Sequence, residues 1–566
     1  MRNPKKCCNF AADFKYITMQ KRNLSFAQLF NLSFGFFGVQ IAYALQSANI
    51  SRIFATLGAD PHQLSLFWLL PPLMGMIVQP LIGKFSDKTW NKLGRRKPYL
   101  LIGAIIAVAV MIMLPMAGDF FPGETGRKIL IAFIPFTAVI WFGIFSLIFL
   151  DTSINIAMQP FKMMVGDMVN EEQKGLAYSI QSFLCNAGSL VGYLLPFCLT
   201  AWFFNNVTTE PGHVAPSVQW SFYIGAAVLI LCVLYTFFAV KEMPPKEYAE
   251  FHGIDPNKKE EKSPNFLVLL KNAPKTFWTV GLVQFFCWSA FLYMWTYSTG
   301  AVAQHAIGAK NAQAIDVYTD AAGNDITHTY VQYNNELIVS SGVLKSDSAQ
   351  IILTTPGNVL QLASVKDGDV LSHPEEYTVA EGTVLKTKTD IDVSSPEYGR
   401  AGDWVGVLFA IQAIGSVLWA MVIPLFKRRR KLAYSLSLII GAIGFILTFF
   451  CTDTTQTSVV IMKIPTTVAQ LELCGCYLLI GCAWAAMLAV PFTIVTNSIK
   501  EHMGSYLGLF NCSICLPQIA AAAVGGLILG CFPEIDGVAQ QPYMLVVAGV
   551  LLLFGALSVL VIKEKE

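Results

Sequence analysis

The sequence predicts an all-α polytopic membrane protein: twelve transmembrane helices in two six-helix pseudo-repeats, with a small β-rich insertion outside the membrane. Three observations carry that reading. Of 566 residues, 54% are hydrophobic and 13% charged, with 40 Phe, whereas a soluble protein carries about 25% charged residues. Apolar runs of spanning length recur near 27–50, 62–83, 98–116, 130–166, 176–204, 219–240, 276–304, 402–426, 432–451, 468–497, 505–531 and 541–562. Third, short signals return six spans later. Pro80-Leu81, a basic loop and LLIGAI (100–105) are answered by Pro424-Leu425, a basic loop and LIIGAI (438–443). Pro160-Phe161 and Gly175 are echoed by Pro491-Phe492 and Gly504. That offset predicts parallel repeats with a site between them near the midplane.

The predicted organisation follows. Residues 1–240 form the first six-helix half, 241–275 a charged linker, 276–305 with 401–566 the second half, and 306–400 the insertion. Lys and Arg set the orientation. One side carries Arg2, Lys5, Lys6, Lys15, Lys21, Arg22, the KFSDKTWNKLGRRK loop, the linker and Lys427–Lys431; the opposite short loops hold only Arg52, Arg127, Lys128 and Lys463. The positive-inside rule therefore places both termini and the linker in the cytoplasm of a multi-pass cell-membrane protein, in the inner membrane if the source is bacterial. The N-terminal stretch has basic residues but no short apolar core with a small-residue cleavage site, so no signal peptide is read there. The 13 Cys show neither zinc spacing nor a disulfide pattern and read as small apolar residues within spans.

Taken in order, the first span places Gln40, Tyr43 and Gln46 at intervals of three. Their side chains suit a polyol or a neighbouring helix. The second span ends at Asp87, followed by Arg95, Arg96 and Lys97, where a carboxylate paired with arginine holds a cytoplasmic gate. The order Gly83, Asp87, Gly94, Arg95, Arg96 resembles the loop signature of the major facilitator superfamily, lengthened between the Asp and the second Gly.

The fourth span is the chemical centre. Asp151, Asn155, Gln159 and Lys162 fall within about 80° of one another at 100° per residue, so they form one stripe. Asp151 lies about 24 Å of helix from Asp167, deep in a hydrocarbon core about 30 Å thick. A carboxylate there costs several kcal/mol unless paired, protonated or wet, and marks a functional site. Pro160 removes one backbone donor and frees a carbonyl inside the span. Asp167, at the cytoplasmic end, joins the expected gate with Lys162.

The fifth span offers Gln181 and Asn186. In the seventh, Gln284, Trp288 and Trp295 share a face at spacings of four and seven. A sugar ring has apolar C–H faces and hydroxyl edges, which flat aromatic faces beside amides suit. Residues 306–400 break the apolar pattern with Val, Thr, Ile and Tyr alternating with polar residues between Gly, Asn and Asp. They carry 13 Asp and Glu against 6 Lys and Arg. They read as an acidic β-rich domain with no catalytic constellation: a lid, a docking surface or an inert insertion. Gln412 in the eighth span and Asn511, Pro517 and Gln518 in the eleventh complete the intramembrane polar set.

Together, GVQ and ALQ (38–40, 44–46), GRRKP (94–98), the fourth-span set Asp151, Asn155, Pro160, Lys162, Asp167, and GLFN (508–511) with Pro517-Gln518 resemble the proton-coupled sucrose and disaccharide transporters of the glycoside-pentoside-hexuronide symporters. The resemblance covers nearly all the spans but not 306–400. It implies proton symport of a sucrose- or maltose-like disaccharide, the carboxylate matching Asp151 as proton site, a small sugar as the partner, and no cofactor beyond a coupling proton or sodium ion. The chain departs from the family in Lys162 where Arg is usual, in Met158-Gln159 where Gln-Gly is usual, and in the insertion.

Gln40, Tyr43, Gln46, Asn155, Gln159, Gln284, Trp288 and Gln412 are the expected sugar ligands, and Asp87, Arg95, Arg96, Lys162 and Asp167 the expected cytoplasmic gate. No metal or nucleic-acid site is read. An exporter of drugs or metabolites is the second reading, and a transport-derived sensor or scaffold the third. An enzyme is not expected, for want of a nucleophile, base and metal set.

Overall fold

The computed structural model describes residues 23–91, 93–121, 128–131, 134–204, 212–243, 266–319, 384–426, 429–498 and 509–562, with Tyr506 and short pieces of 331–360. Its long helices are α1 (Phe26–Thr56), α2 (Leu70–Lys88), α3 (Lys97–Met113), α4 (Ala138–Met168), α5 (Glu171–Leu199), α6 (Pro216–Ala239), α7 (Lys275–Ala301), α8 (Pro396–Val422), α9 (Arg430–Thr448), α10 (Val468–Ser498), α11 (Cys512–Leu529) and α12 (Pro542–Ser558). Among the described residues, eleven helical segments are long and apolar enough to cross a membrane. The 31-residue α1 is not one of the eleven, because Gln40, Gln46, Asn49 and Arg52 dilute its apolar character.

Local chemistry fixes where these helices begin. Ser25 and Gln28 form a capping box at α1, Asn170 caps α5 by accepting from the Gln173 amide at 2.9 Å, and Ser395 caps α8, with Pro396 as its first residue. Each cap satisfies a backbone donor the helix itself cannot.

The packing repeats with the period the sequence predicts. Helix α1 packs on α4, α5 and α6, as α7 packs on α10, α11 and α12; α3 packs on α4 and α6, as α9 packs on α10 and α12; α2 packs on α4, as α8 packs on α10. The two sets of six meet through α2 on α11 and α5 on α8, two contacts related by the same shift. Both are close. Gly406 of α8 lies against the Tyr193 carbonyl of α5, and Gly526 of α11 against the His62 carbonyl, with no room for a Cβ at either place.

Two ends of the bundle differ. Arg95, Arg96, Lys97 and Arg429–Lys431 lie at one, the basic end. The other carries antiparallel ribbons: β1 (Lys128–Ile131) with β2 (Ile134–Thr137), β3 (Asn311–Thr319) with β4 (Val384–Ile391), and β5 (Gln456–Ile461) with β6 (Ile464–Thr467). The β3–β4 ladder runs from Asn311↔Ile391 to Thr319↔Val384 with a bulge between Ile315 and Val317. Of the β-rich insertion expected over 306–400, the described residues comprise this ribbon and two short strand pairs. Most of 320–383 lies outside the described residues, as do the basic N-terminus and 244–265 of the expected linker.

Arg52 is not a loop residue: α1 continues to Thr56, and Arg52 is 2% exposed inside it. A span long enough for the bilayer can end at residue 50, but the helix does not, because Arg52 has a buried partner.

Candidate functional site

Between the two sets lies a cavity of about 480 Å³. The first set supplies Gln40 and Tyr43 of α1, Gln79 of α2, Asp151, Asn155, Met158 and Lys162 of α4, and Gln181 and Tyr193 of α5. The second supplies Trp288 and Trp295 of α7, Trp484 of α10, and Asn511, Cys515 and Gln518 at α11. Gly75, Pro71 and Pro72 keep the α2 wall low.

Asp151 is 2% exposed near the middle of α4. Its Oδ1 accepts from Gln46 Nε2 at 2.6 Å. Its Oδ2 is buried with no partner among the described residues, and so is Gln46 Oε1. One turn on, Asn155 donates to the Asp151 carbonyl at 2.8 Å and accepts from Gln79 Nε2 at 2.7 Å. Asn155 is therefore locked in orientation, while Asp151 keeps unspent accepting capacity toward the cavity.

The stripe read from the sequence is displaced by one side chain. Asp151, Asn155, Met158 and Lys162 line the cavity, and Gln159 does not. At 100° per residue Met158 falls about 20° to one side of Asp151 and Gln159 about 80° to the other; the wall follows the nearer set. Lys162 lies on this wall and is exposed. It forms no ion pair among the described residues, so it is separate from the gate cluster in which it was expected.

The aromatic wall is built from two helices. Trp484 meets Trp288 edge to face at 5.7 Å and 75°, and Trp295 at 5.8 Å and 82°, with Phe291 packed against it at 4.9 Å. Trp295 also stacks on Trp68 of the first set at 5.9 Å. Gln284, expected on the same face as Trp288, is fully buried elsewhere: Nε2 donates to the Met487 carbonyl at 3.4 Å and Oε1 accepts from Tyr434 at 3.3 Å. Gln412 is also buried and lines no part of the cavity, packed where α8 crosses α10 at Gly415 and Gly481. Gln284 serves interhelical packing in the second set, whereas the Gln412 amide nitrogen is buried with no partner among the described residues.

At the ribbon end the two sets are joined. Arg52 Nη1 donates to Asp403 Oδ1 at 2.7 Å with both side chains 3% exposed, and the Thr200 hydroxyl donates to Asp403 Oδ2. Ser51 donates to the Trp295 carbonyl at 3.3 Å and accepts from Trp68 Nε1 at 2.8 Å. Toward the basic end, by contrast, Lys162 and Tyr178 of the cavity wall are exposed. The sets are thus tied at the ribbon end, and the exposed side chains of the cavity wall lie toward the basic end.

The basic end holds the predicted cluster, entirely within the first set. Arg95 and Arg96 reach Asp87 at 2.6 and 2.7 Å, and Arg96 Nε reaches Asp167 at 2.9 Å. Ser86 accepts from Arg96 as well. Burial works against the Arg96 cation, but Asp167 and then Asp87 more than offset it and hold its pKa above the ordinary arginine value. The sequence reading missed Glu242, whose carboxylate accepts the backbone amides of Arg95, Arg96 and Lys97 at 2.6 to 3.0 Å. It caps α3 from beyond α6, an acceptor at the positive end of a helix dipole. Tyr193, Gln79 and Trp484 were also missed as cavity residues, and Arg52 with Asp403 as a pair. A carboxylate just past the last apolar residue of a span was the available signal for Glu242.

Two sets of six helices pack around a central cavity, and solved structures share this fold. A D-xylose-proton symporter superposes with a TM-score of 0.54 at 13% identity, covering 94% of this chain and 95% of that one. A bacterial homologue of the human lysosomal transporter Spinster, inward-facing and occupied, gives 0.54 at 13%, covering 94% and 96%. The model of the MFS/sugar transport protein family matches residues 34–302. The chain is 26% identical over 276 residues to the sucrose transport protein SUT1 of Oryza sativa subsp. japonica, covering 46% of this chain and 50% of that protein. It is 26% identical over 245 residues to the membrane-associated transporter protein of Mus musculus, covering 43% and 44%. The chain spans about half the length of these curated relatives.

Proposed function

We propose that the protein is a proton-coupled symporter that imports a disaccharide or related glucoside, sucrose- or maltose-like, by alternating access. The observation that carries this reading is Asp151: a carboxylate buried at the wall of a cavity between two helical sets, with one oxygen unpaired and the other held by an amide. Opposite it stands an aromatic wall suited to a sugar face. Relatives named as sucrose transport proteins support the substrate class.

Helix α1 serves as the twelfth span, its polar residues facing protein and cavity rather than lipid. The basic end lies in the cytoplasm with both termini, and the protein sits in the cell membrane. In this orientation the described conformation is open inward and shut outward by Arg52–Asp403. Sugar and a proton enter from outside when that pair parts. Once Asp151 is protonated, no unpaired charge remains to resist rocking of the two sets about the site. The ligands are Gln40, Tyr43 and Asn155 with Trp288, while Gln46 orients Asp151. The ribbon β3–β4 carries the acidic insertion on the outer face.

Uptake of radiolabelled sucrose and maltose into proteoliposomes tests the reading, with pH and sodium gradients imposed separately. Accumulation is expected with the inside alkaline and sodium absent. Accumulation only with sodium assigns a different coupling ion, and no flux of either sugar under any gradient refutes the function.

A further inference from the structure

We propose, on the reading above, that Trp288 recognises the sugar as a hydrogen-bond donor rather than as a stacking face, and that Trp484 and Trp295 supply the wall against which a sugar ring lies. Trp288 is 7% exposed, lines the cavity, and its indole N–H finds no acceptor among the described residues. Other indole N–H groups in the molecule are satisfied by serine: buried Trp68 donates to Ser51 at 2.8 Å and half-buried Trp419 to Ser437 at 2.7 Å. Trp404 Nε1 is also orphaned, but it does not line the cavity. Among the described residues nothing accepts from the Trp288 indole, on a side chain that borders the cavity, and leaving a buried donor unmade is costly.

The opposite wall has the complementary deficit. Asp151 Oδ2 is a buried acceptor with no donor among the described residues, and so is Gln46 Oε1, which lies off the cavity lining and donates to Asp151 through its amide nitrogen. An apolar ligand satisfies neither wall. A hydroxyl both donates and accepts, so one polyhydroxylated molecule can give protons to the first set while accepting from Trp288 in the second. Trp484 is steadied for its role by Phe291 behind it and by edge-to-face contacts with both other indoles. The ligand then ties together two helical sets that must move as a pair, and specificity for oxygen at one sugar position resides in Trp288.

Equilibrium binding of sucrose and its monodeoxy and monofluoro derivatives to the purified full chain tests this. In the unmodified protein one deoxy position should lose about three- to tenfold in affinity, the range for one hydrogen bond. The fluoro derivative at that position should lose less, since fluorine still accepts weakly. Trp288→Phe keeps an aromatic ring, should lose a similar factor toward sucrose, and should show no further loss with that deoxy sugar. Trp288→His restores a ring N–H and should recover part of the affinity; it carries the test if the Phe variant does not fold. Sucrose affinity unchanged in Trp288→Phe, or losses that multiply at every deoxy position, would overturn the donor role while leaving the symporter reading intact. No binding of sucrose or maltose by the unmodified protein overturns the disaccharide reading, and this inference with it.

Discussion

The two walls of the cavity are made by helices related by a repeat, yet their chemistry is opposite. The first set presents Asp151, Asn155, Lys162, Gln40, Gln79 and Gln181; the second presents Trp288, Trp295 and Trp484 beside the uncharged Asn511, Cys515 and Gln518. Aligning Pro160 with Pro491 puts Cys482 at the counterpart of Asp151, Ala486 at that of Asn155 and Thr493 at that of Lys162, while Trp484 answers Ser153. The helix contacts kept the symmetry and the cavity lost it. Ionisable groups gathered in one set and shape recognition in the other, so a ligand must touch both before the sets respond together.

The strongest way to break this division is Asp151→Asn, which mimics the protonated carboxyl. Uphill accumulation driven by a pH gradient is expected to disappear, whereas exchange of labelled for unlabelled sugar across proteoliposomes continues. An Asn variant that still concentrates sugar on a proton gradient alone would remove coupling from the first wall.

Next is the joint that holds the walls together at the ribbon end. Asp403→Ala leaves Arg52 buried without its partner, a loss of about 3 to 5 kcal/mol where one member of a buried ion pair is deleted. Thermal unfolding in detergent should fall accordingly, and Arg52→Met with Asp403→Met should recover most of the difference. Melting of the single variant at the unmodified temperature would show that the pair does not hold the two sets.

On the aromatic side, Trp484→Ala should weaken sugar binding by about 1 to 3 kcal/mol, by analogy with stacking of bases on aromatic side chains, without altering the pH response of transport. Isothermal titration at two pH values checks both halves of that statement. A changed proton response would mean that the aromatic wall shares in coupling and that the walls are not divided.

Much of this was legible in the sequence because periodicity acts within one helix. Asp151, Asn155 and Lys162 could be placed on one face of α4 from spacing, whereas Gln40, Tyr43 and Gln46, at intervals of three, wind around α1, and of these only Gln40 and Tyr43 line the cavity. What could not be read lies between elements. Gln284 shares a helix with Trp288, but the choice between cavity and packing was made by Tyr434 and the Met487 carbonyl. Trp484 sits in an apolar run that looks like any other spanning segment. Arg52 resembled a loop charge until Asp403, 351 residues away, supplied a reason to bury it.

The smallest expected effect falls on the residue where sequence and structure part most finely. Gln159 stands next to Met158, where the resembled family carries Gln-Gly, and sequence spacing alone put Gln159 on the cavity stripe. In the structure Met158 takes that place, and Gln159 is half-buried away from the cavity with no hydrogen bond among the described residues. Gln159→Ala therefore removes neither a ligand contact nor a satisfied polar group, and α4 gains slightly in helix propensity. Sugar affinity and melting temperature should both stay within about 0.5 kcal/mol of the unmodified protein. Met158→Ala, on the neighbouring position, should instead enlarge the cavity and relax discrimination between sucrose and maltose. A larger loss of sugar binding from Gln159→Ala than from Met158→Ala would return Gln159 to the wall and show that the ionisable stripe is one residue wider than the cavity geometry makes it.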